Sequence, residues 1–272
     1  MDDLVRPIAA HLAAVFGNPL TLAALGLFAL MAVAEHRWPA RPLPRVAGWR
    51  VKGGLFVLLG ITITSTTPLL WDAWLAEHRL IDARGLGDVG GALVGFAVYE
   101  LVLYGWHRAM HNATPLWRGF HQMHHSAERV DVFGAYYFHP LDFVGFSFVT
   151  SLGLVGIVGL TAPAAIAAAL MVSFCNFFQH ANVRTPRWIG WIIQRPESHQ
   201  VHHARGVHGY NYSDLPLWDA LFGTLRNPAR CADPAGFYDG ASARVGEMLI
   251  GRDVATPPSA ACPPRVAAPA GA

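Results

Sequence analysis

A chain of 272 residues, 53% hydrophobic and only 14% charged, falls well below the ~25% charge of a soluble globular domain. Its net charge of +2 leaves no electrostatic footprint for nucleic acid. Cys175, Cys231 and Cys262 stand apart with no CxxC pair, which argues against a disulfide framework and against a thiolate metal site.

The N-terminus reads Met-Asp-Asp and lacks a basic n-region, so the first apolar segment is expected to stay in the mature protein. That segment spans residues 19–34, with 12–16 as a possible extension. Arg37, Arg41, Arg45, Arg50 and Lys52 follow it. Basic residues collect on the cytoplasmic side, so this loop is expected inside and the N-terminus outside. The second apolar stretch is 53–71, whose Thr62, Thr64, Thr66 and Thr67 can bond to the helix's own carbonyls. Residues 72–88 mix both signs of charge and read as an external loop with a short interfacial helix. The third stretch, 89–106, brings the chain back inside at His107. Residues 143–179 are long enough for two crossings, turning near 161–163, so both ends of that hairpin return to the cytoplasm. Residues 188–193 place Trp188 and Trp191 among isoleucines, the pattern of an interfacial helix at headgroup level. The Ala/Pro-rich stretch 255–272 reads as disordered.

The expected architecture is all-α and integral to the membrane, with about four transmembrane helices beneath a cytoplasmic, histidine-rich helical cap. It divides into a transmembrane region with two helices and loops (1–88), a histidine-bearing domain (89–226) and a partly disordered tail (227–272).

Eleven of the fourteen histidines lie between positions 107 and 208. His107 and His111 form an HxxxH; His121, His124 and His125 form an HxxHH, and His199, His202 and His203 form another. In a helix, positions i and i+4 share a face, while the middle histidine of HxxHH is turned away by about 100°. One triplet can therefore feed two neighbouring ions, or one ion plus a bridging position. The count exceeds what one tetrahedral zinc requires. Imidazole without thiolate suits iron, zinc, copper or nickel rather than magnesium or calcium.

The segments WHRAMH (106–111), FHQMHHS (120–126), FHPLD (138–142), FQHAN (178–182) and HQVHHARGVHGYNYSDLPLWDALFGT (199–224) resemble the membrane-bound fatty acid hydroxylase/sterol desaturase superfamily. The resemblance covers roughly residues 90–226. It implies a four-helix membrane core under a cytoplasmic cap that holds two iron ions and uses O2 against an unactivated C–H bond of a lipid. It assigns the ligands to His107, His111, His121, His124, His125, His180, His199, His202 and His203. The chain departs from the family in reading Asn211-Tyr212-Ser213 where NYG is common. It also has Asn176 where the fatty acid hydroxylase branch often has a histidine; this residue either holds a metal-bound water or packs in the bundle.

Further residues stand beside that set. His139 reads as a tenth ligand, a supporting donor or a loop histidine bonded to backbone, and His208 as a weaker ligand. Glu100, inside the third apolar stretch, reads as orienting an imidazole or pairing elsewhere in the bundle. Asp142, Asp214 and Asp219 read as carboxylates that fix ring tautomers or cap helices. His11, His36 and His78 lie outside every motif and read as ordinary interfacial side chains. The Phe- and Leu-rich stretch 143–160 either lines a lipid channel or faces the bilayer.

The functional expectation is an O2-dependent oxidoreductase of the cell membrane that hydroxylates or desaturates a lipid, with zinc able to substitute for iron in purified protein. Flavin fingerprints, iron–sulfur cysteines and a CxxCH haem site are all missing from the sequence, so electrons are expected from a separate reductase. The alternative is a non-enzymatic membrane metal-binding or transport protein, which should place its ligands near the bilayer midplane. A zinc hydrolase would need the HExxH that this chain lacks.

Overall fold

The computed structural model describes residues 2–231 and 234–258, with the side chains of the first helical turn left aside. Among the described residues there is no β-strand, only two isolated bridges, Pro39 with Val183 and Ala204 with Ala235. Five helical segments are long and apolar enough to cross a membrane: Pro19–Arg37, Trp49–Leu70, Arg84–Asn112, Pro140–Ile157 and Ala162–His180. They correspond to the five apolar stretches of the sequence, one more than the count of about four.

The helices start where sequence chemistry dictates. α1 (Asp2–Gly17) ends before Asn18, whose side chain accepts from Leu20 N and caps α2 (Pro19–Arg37), with Pro19 in the first turn. The segment 12–16 therefore belongs to a separate helix rather than extending α2, because a proline tolerated at a helix start cannot continue the helix before it. α3 (Trp49–Thr66) runs into a short 3-10 turn, and α4 (Asp72–Glu77) lies in the charged connection. α5 (Gly87–Asn112) is the longest helix. After it come α6 (Thr114–Leu116), a π-helical turn at Trp117–His121 and α7 (Gln122–His125). α8 (Pro140–Ser151) is capped by His139 and continues into a second π-helical stretch, Leu152–Ile157. α9 (Ala162–His180) is capped by Thr161, which puts the hairpin turn at the expected place. α10 (Pro196–His202), α11 (Pro216–Leu221) and α12 (Val245–Leu249) complete the fold.

Helices α2, α9, α5, α8 and α3 follow one another around the bundle, with α5 against α9 as the most extensive contact. Gly60 of α3 lets the rings of Tyr136 and Phe143 lie against its backbone, where a β-carbon would strike both. α2 and α3 hardly touch each other directly. They are joined at one end by α1 and at the other by the Val132–Gly134 turn. Leu30, Val33, Leu55, Leu58, Leu93 and Ile166 point outward, the surface expected of helices solvated by lipid.

One expectation changes in the connections. Residues 188–193 form no regular interfacial helix but a five-residue 3-10 turn, Arg187–Trp191, in which Trp188 and Trp191 are each 63% exposed. The stretch from 234 to 258 is folded: Met248 and Val254 pack with Trp49, Met123 and Tyr137, and Glu128 accepts from Gly240 N, Ser242 N and the Ser242 hydroxyl. Of the Ala/Pro-rich end, residues 259–272 lie outside the described residues.

Candidate metal centre

The C-terminal ends of α5 and α9, the Trp117–His125 stretch and α10 converge at one end of the bundle. Nine histidines meet there in two groups, His107, His111, His121, His125 and His202 in one, and His124, His180, His199 and His203 in the other. Within each group the donor atoms all lie within 4.8 Å of one another. Helical periodicity produces the split. His121 and His125 face the first group while His124, between them, faces the second; His199 and His203 face the second while His202 faces the first. The two HxxHH motifs are thus used in opposite senses.

Several rings have their direction fixed by a partner on Nδ1. His107 donates to the Tyr212 carbonyl (2.7 Å), His180 to the Asn176 carbonyl (2.7 Å), and His202 to the Tyr210 carbonyl (2.8 Å). His121 donates to Asp142 Oδ2 at 2.8 Å. A neutral imidazole that donates from Nδ1 has only a lone pair at Nε2. Yet Nε2 of His107 sits 2.9 Å from Nε2 of His121. Likewise, Nε2 of His180 sits 3.1 Å from that of His124 and 3.0 Å from that of His199. For His107 and His121 both lone pairs are bare, so the approach is repulsive unless a cation lies between them. Two imidazoles at ~2.1 Å from one ion and at right angles would be separated by ~3.0 Å. Both nitrogens of His111 and of His125 are also buried without a partner, as is Nε2 of His202. Buried polar atoms are otherwise almost always satisfied, so the donor set fits metal ions. Burial, reinforced by the neighbouring rings, holds His121, His124, His125, His199, His202 and His203 well below the usual histidine range, in the neutral form that a metal needs.

The segment 208–226 supplies much of the support. Asp219 accepts from Tyr212 N, Ser213 N, the Ser213 hydroxyl and the Thr224 hydroxyl. Asn211 takes the left-handed conformation at φ 58 and bonds Ser198 O, Arg226 O and Arg226 N through its amide. Ser213 is not in a left-handed conformation, so the departure from glycine there costs the turn nothing. Asp214 accepts from Gln179, the neighbour of His180.

The remaining residues singled out in the sequence separate clearly. His139 joins neither group: its Nδ1 accepts from Leu141 N and its Nε2 donates to Leu249 O, so both nitrogens are engaged as a helix cap. His208 also lies outside both groups, with its ring 5.3 Å from Trp117 and 5.4 Å from His125. Glu100 touches no imidazole; its Oε2 accepts from Asp214 N and Leu215 N, tying α5 to the loop that carries Tyr212. Asn176 lines the cavity beneath the second group, with its side chain beside the Tyr136 phenol. Reading the sequence alone did not single out Tyr210 and Tyr212, which act through backbone carbonyls that leave no residue-type signature. Trp117, packed 5.2 Å from His111 and 5.3 Å from His125, was also missed; its place one turn before His121 was the available hint.

A cavity of about 560 Å³ opens beneath the histidines and runs through the bundle. His107, His121, His124, His180 and His199 close one end. Phe138, Phe143, Phe146, Leu103 and Val172 form its middle, so the 143–160 stretch contributes to a channel wall as well as to the outer surface. His11 is at the other end, half-buried against Thr66. His36 and His78 are exposed.

Helix count, apolar exterior and buried polyhistidine centre define an all-helical integral membrane protein with a metal-binding type of site at one end of its bundle. The sequence profile of the fatty acid hydroxylase family matches residues 92–224. All nine histidines fall inside that stretch, and the chain belongs through it to the fatty acid hydroxylase/sterol desaturase superfamily. The chain is similar to an ornithine lipid hydroxylase of Rhizobium tropici, with 32% identity over 145 residues, covering 51% of this chain and 42% of the relative. It is also similar to a Delta(7)-sterol-C5(6)-desaturase of Nicotiana tabacum, with 29% identity over 157 residues, covering 55% of each. The chain thus spans about half the length of the curated relatives it matches. No solved structure matches it.

Proposed function

We propose that this protein is an O2-dependent di-iron oxidoreductase that hydroxylates or desaturates a C–H bond of a membrane lipid, drawing electrons from a separate reductase. One observation carries the reading: two adjacent buried histidine groups close the end of a largely apolar cavity inside a bundle of membrane-type helices. The names of both relatives, a lipid hydroxylase and a sterol desaturase, support the same class of reaction.

In this reading His107, His111, His121, His125 and His202 hold one iron, and His124, His180, His199 and His203 the other. Iron bound there supplies the O2 activation that cleavage of an unactivated C–H bond demands. The chain's own residues do the rest. Asp142, Tyr212, Tyr210 and Asn176 hold Nδ1 hydrogens and keep the Nε2 lone pairs aimed inward. Phe138, Phe143 and Phe146 hold a hydrocarbon chain below the histidines and exclude water from it. The arginine-rich connections support a cytoplasmic face for this end, with the N-terminus outside.

The test is to express the protein in a host lacking this activity, purify it, assay its metal and compare the host's lipid extracts with those of a His124→Ala strain. Iron in the protein and a new oxidised lipid that disappears in the variant are expected. Normal product from His124→Ala, or folded protein that binds no metal, would sink the reading.

A further inference from the structure

The cavity carries polar side chains along its length, and they differ in whether a partner engages them. Near the histidines the amide and hydroxyl side chains are engaged, while Nδ1 of His124 and of His199 has no partner among the described residues. Asn176 lies beside the Tyr136 phenol, Gln179 donates to Asp214, and the Ser173 hydroxyl donates to the Ala169 carbonyl in its own helix; farther along, the Thr150 hydroxyl donates to the Phe146 carbonyl. At the opposite end, Thr21, Ser65 and Ser151 line the cavity and form no hydrogen bond to the described residues. His11 of α1 is there too. Its Nε2 is 2.8 Å from Thr66 Oγ1, whose own hydrogen goes to the Thr62 carbonyl. Nε2 must therefore be the donor, which leaves Nδ1 of His11 as a lone-pair acceptor with no partner among the described residues.

The same end is the loosest part of the ring of helices. α2 and α3 hardly pack on each other there, and α1 bridges them with Val15 and Phe16 against Val57, Ile61 and Leu25. Arg79, Asp82 and Arg84 pair just beyond it, and Asp88 accepts from Thr161. These charges mark the level at which the bundle meets water.

We propose that this end is both the lipid's entrance and the subsite for its polar group. On this proposal an amphiphile enters from the bilayer through the seam between α2 and α3 beneath α1. Its chain threads toward the histidines, while a hydroxyl, amide or ammonium group donates to His11 Nδ1. The polar group stays at the water level, so little of its hydration is lost, whereas carrying it past Phe138, Phe143 and Phe146 would strip that hydration among aromatic rings. The α9 wall facing the cavity, from Ala169 to His180, is about 16 Å long at 1.5 Å per residue. The attacked carbon should therefore lie well down the chain from the polar group. This rests on the functional reading above for the word "attacked", but the binding claim does not need turnover.

The test uses the purified, metal-loaded chain and two photoreactive forms of hexadecanol, one with a diazirine beside the hydroxyl and one with it at the methyl end. The hydroxyl-end probe should label peptides of α1 and the last turn of α3, and the methyl-end probe those around Phe146 and His180. Reversed labelling, or identical labelling by both, overturns the proposal. In a His11→Leu protein of unchanged metal content, hexadecanol should compete for labelling roughly fivefold more weakly, the size of one net neutral hydrogen bond. Hexadecane should compete as before, and an equal loss for hexadecane would overturn the polar subsite. A protein that labels as expected but never oxidises a lipid would count against the oxygenase reading and leave this one standing.

Discussion

Asp142 Oδ2 lies 2.8 Å from His121 Nδ1, and the two side chains are 0% and 1% exposed. A carboxylate sealed at this depth has no solvent to share its charge with, so its main effect is on the ring: it fixes the tautomer and leaves Nε2 for a metal. Asp142→Leu should weaken metal binding or activity by about 10–100-fold, the usual scale for such partners. Asp142→Asn keeps an acceptor without the charge and should lose less. Metal titration of the folded variants checks this; wild-type affinity in Asp142→Leu would remove Asp142 from the centre.

The division of the histidines into groups of five and four makes a quantitative prediction about metal. Wild-type protein should carry close to two ions per chain, since the imidazoles exceed one coordination sphere. The double variants His107→Ala/His202→Ala and His199→Ala/His203→Ala strike different groups, leave three and two imidazoles there, and should each leave close to one ion. Elemental analysis against folded protein is the measurement. If both variants kept a full complement, or wild type held only one ion, the two-centre arrangement would be wrong. Zinc in place of iron would not matter, since zinc outranks ferrous iron in intrinsic affinity.

The histidine spacing and the apolar segments were legible because both are periodic, and periodicity survives in a sequence. The i, i+4 rule placed His121 with His125 and turned His124 away, as the two groups now show. What stayed hidden depends on tertiary partners. Glu100 looked like a neighbour of His107 by helical phase, but its carboxylate is claimed by Asp214 N and Leu215 N from a segment more than a hundred residues away. His139 precedes a proline in a motif-like context, yet both its nitrogens are taken by local backbone and Leu249 O. His11 has no motif at all, and only the folding of α1 across the bundle gives it a place.

Glu100 offers a separate test because its role is to satisfy backbone. In Glu100→Gln the side-chain oxygen can still accept from both amides, so stability and metal content should change little. Glu100→Leu leaves the buried Asp214 N–H unsatisfied, at about 1–3 kcal/mol, and the part-buried Leu215 N–H without its acceptor. It should lower the melting temperature and loosen the Tyr212 carbonyl that holds His107. An equal loss in both variants would show that charge, not hydrogen bonding, matters at this position, and no loss in either would remove the role given to Glu100 here.

Orientation is tested by single cysteines at exposed positions. Arg45, Leu80 and Arg205 are all exposed and sample the first connection, the opposite end of the bundle and the histidine end. In intact cells an impermeant thiol reagent should label the cysteine at position 80 and neither of the others, as the positive-inside bias requires. Labelling at 205 from outside would invert the assignment.

Acid should destabilise the metal-free protein. His121, His124, His125, His199, His202 and His203 have folded values well below the normal range, against roughly 6.5 in the unfolded chain. Above that value both states are neutral and the full stability is present. As pH falls through it, the unfolded chain takes up protons that the folded one refuses, at up to ~1.4 kcal/mol per unit for each ring. Asp214, raised by burial to about 7, and Asp219, also raised by burial, work in the opposite direction, losing their contribution as pH rises toward neutrality. Six rings outweigh two carboxyls, so the melting temperature of apo protein should fall between about pH 7.5 and about pH 5.5. Bound metal competes for the same lone pairs, so loaded protein should resist until the ions themselves are released. A melting temperature of the apo protein that holds level or rises on acidification would mean that these histidines are not kept neutral by the fold.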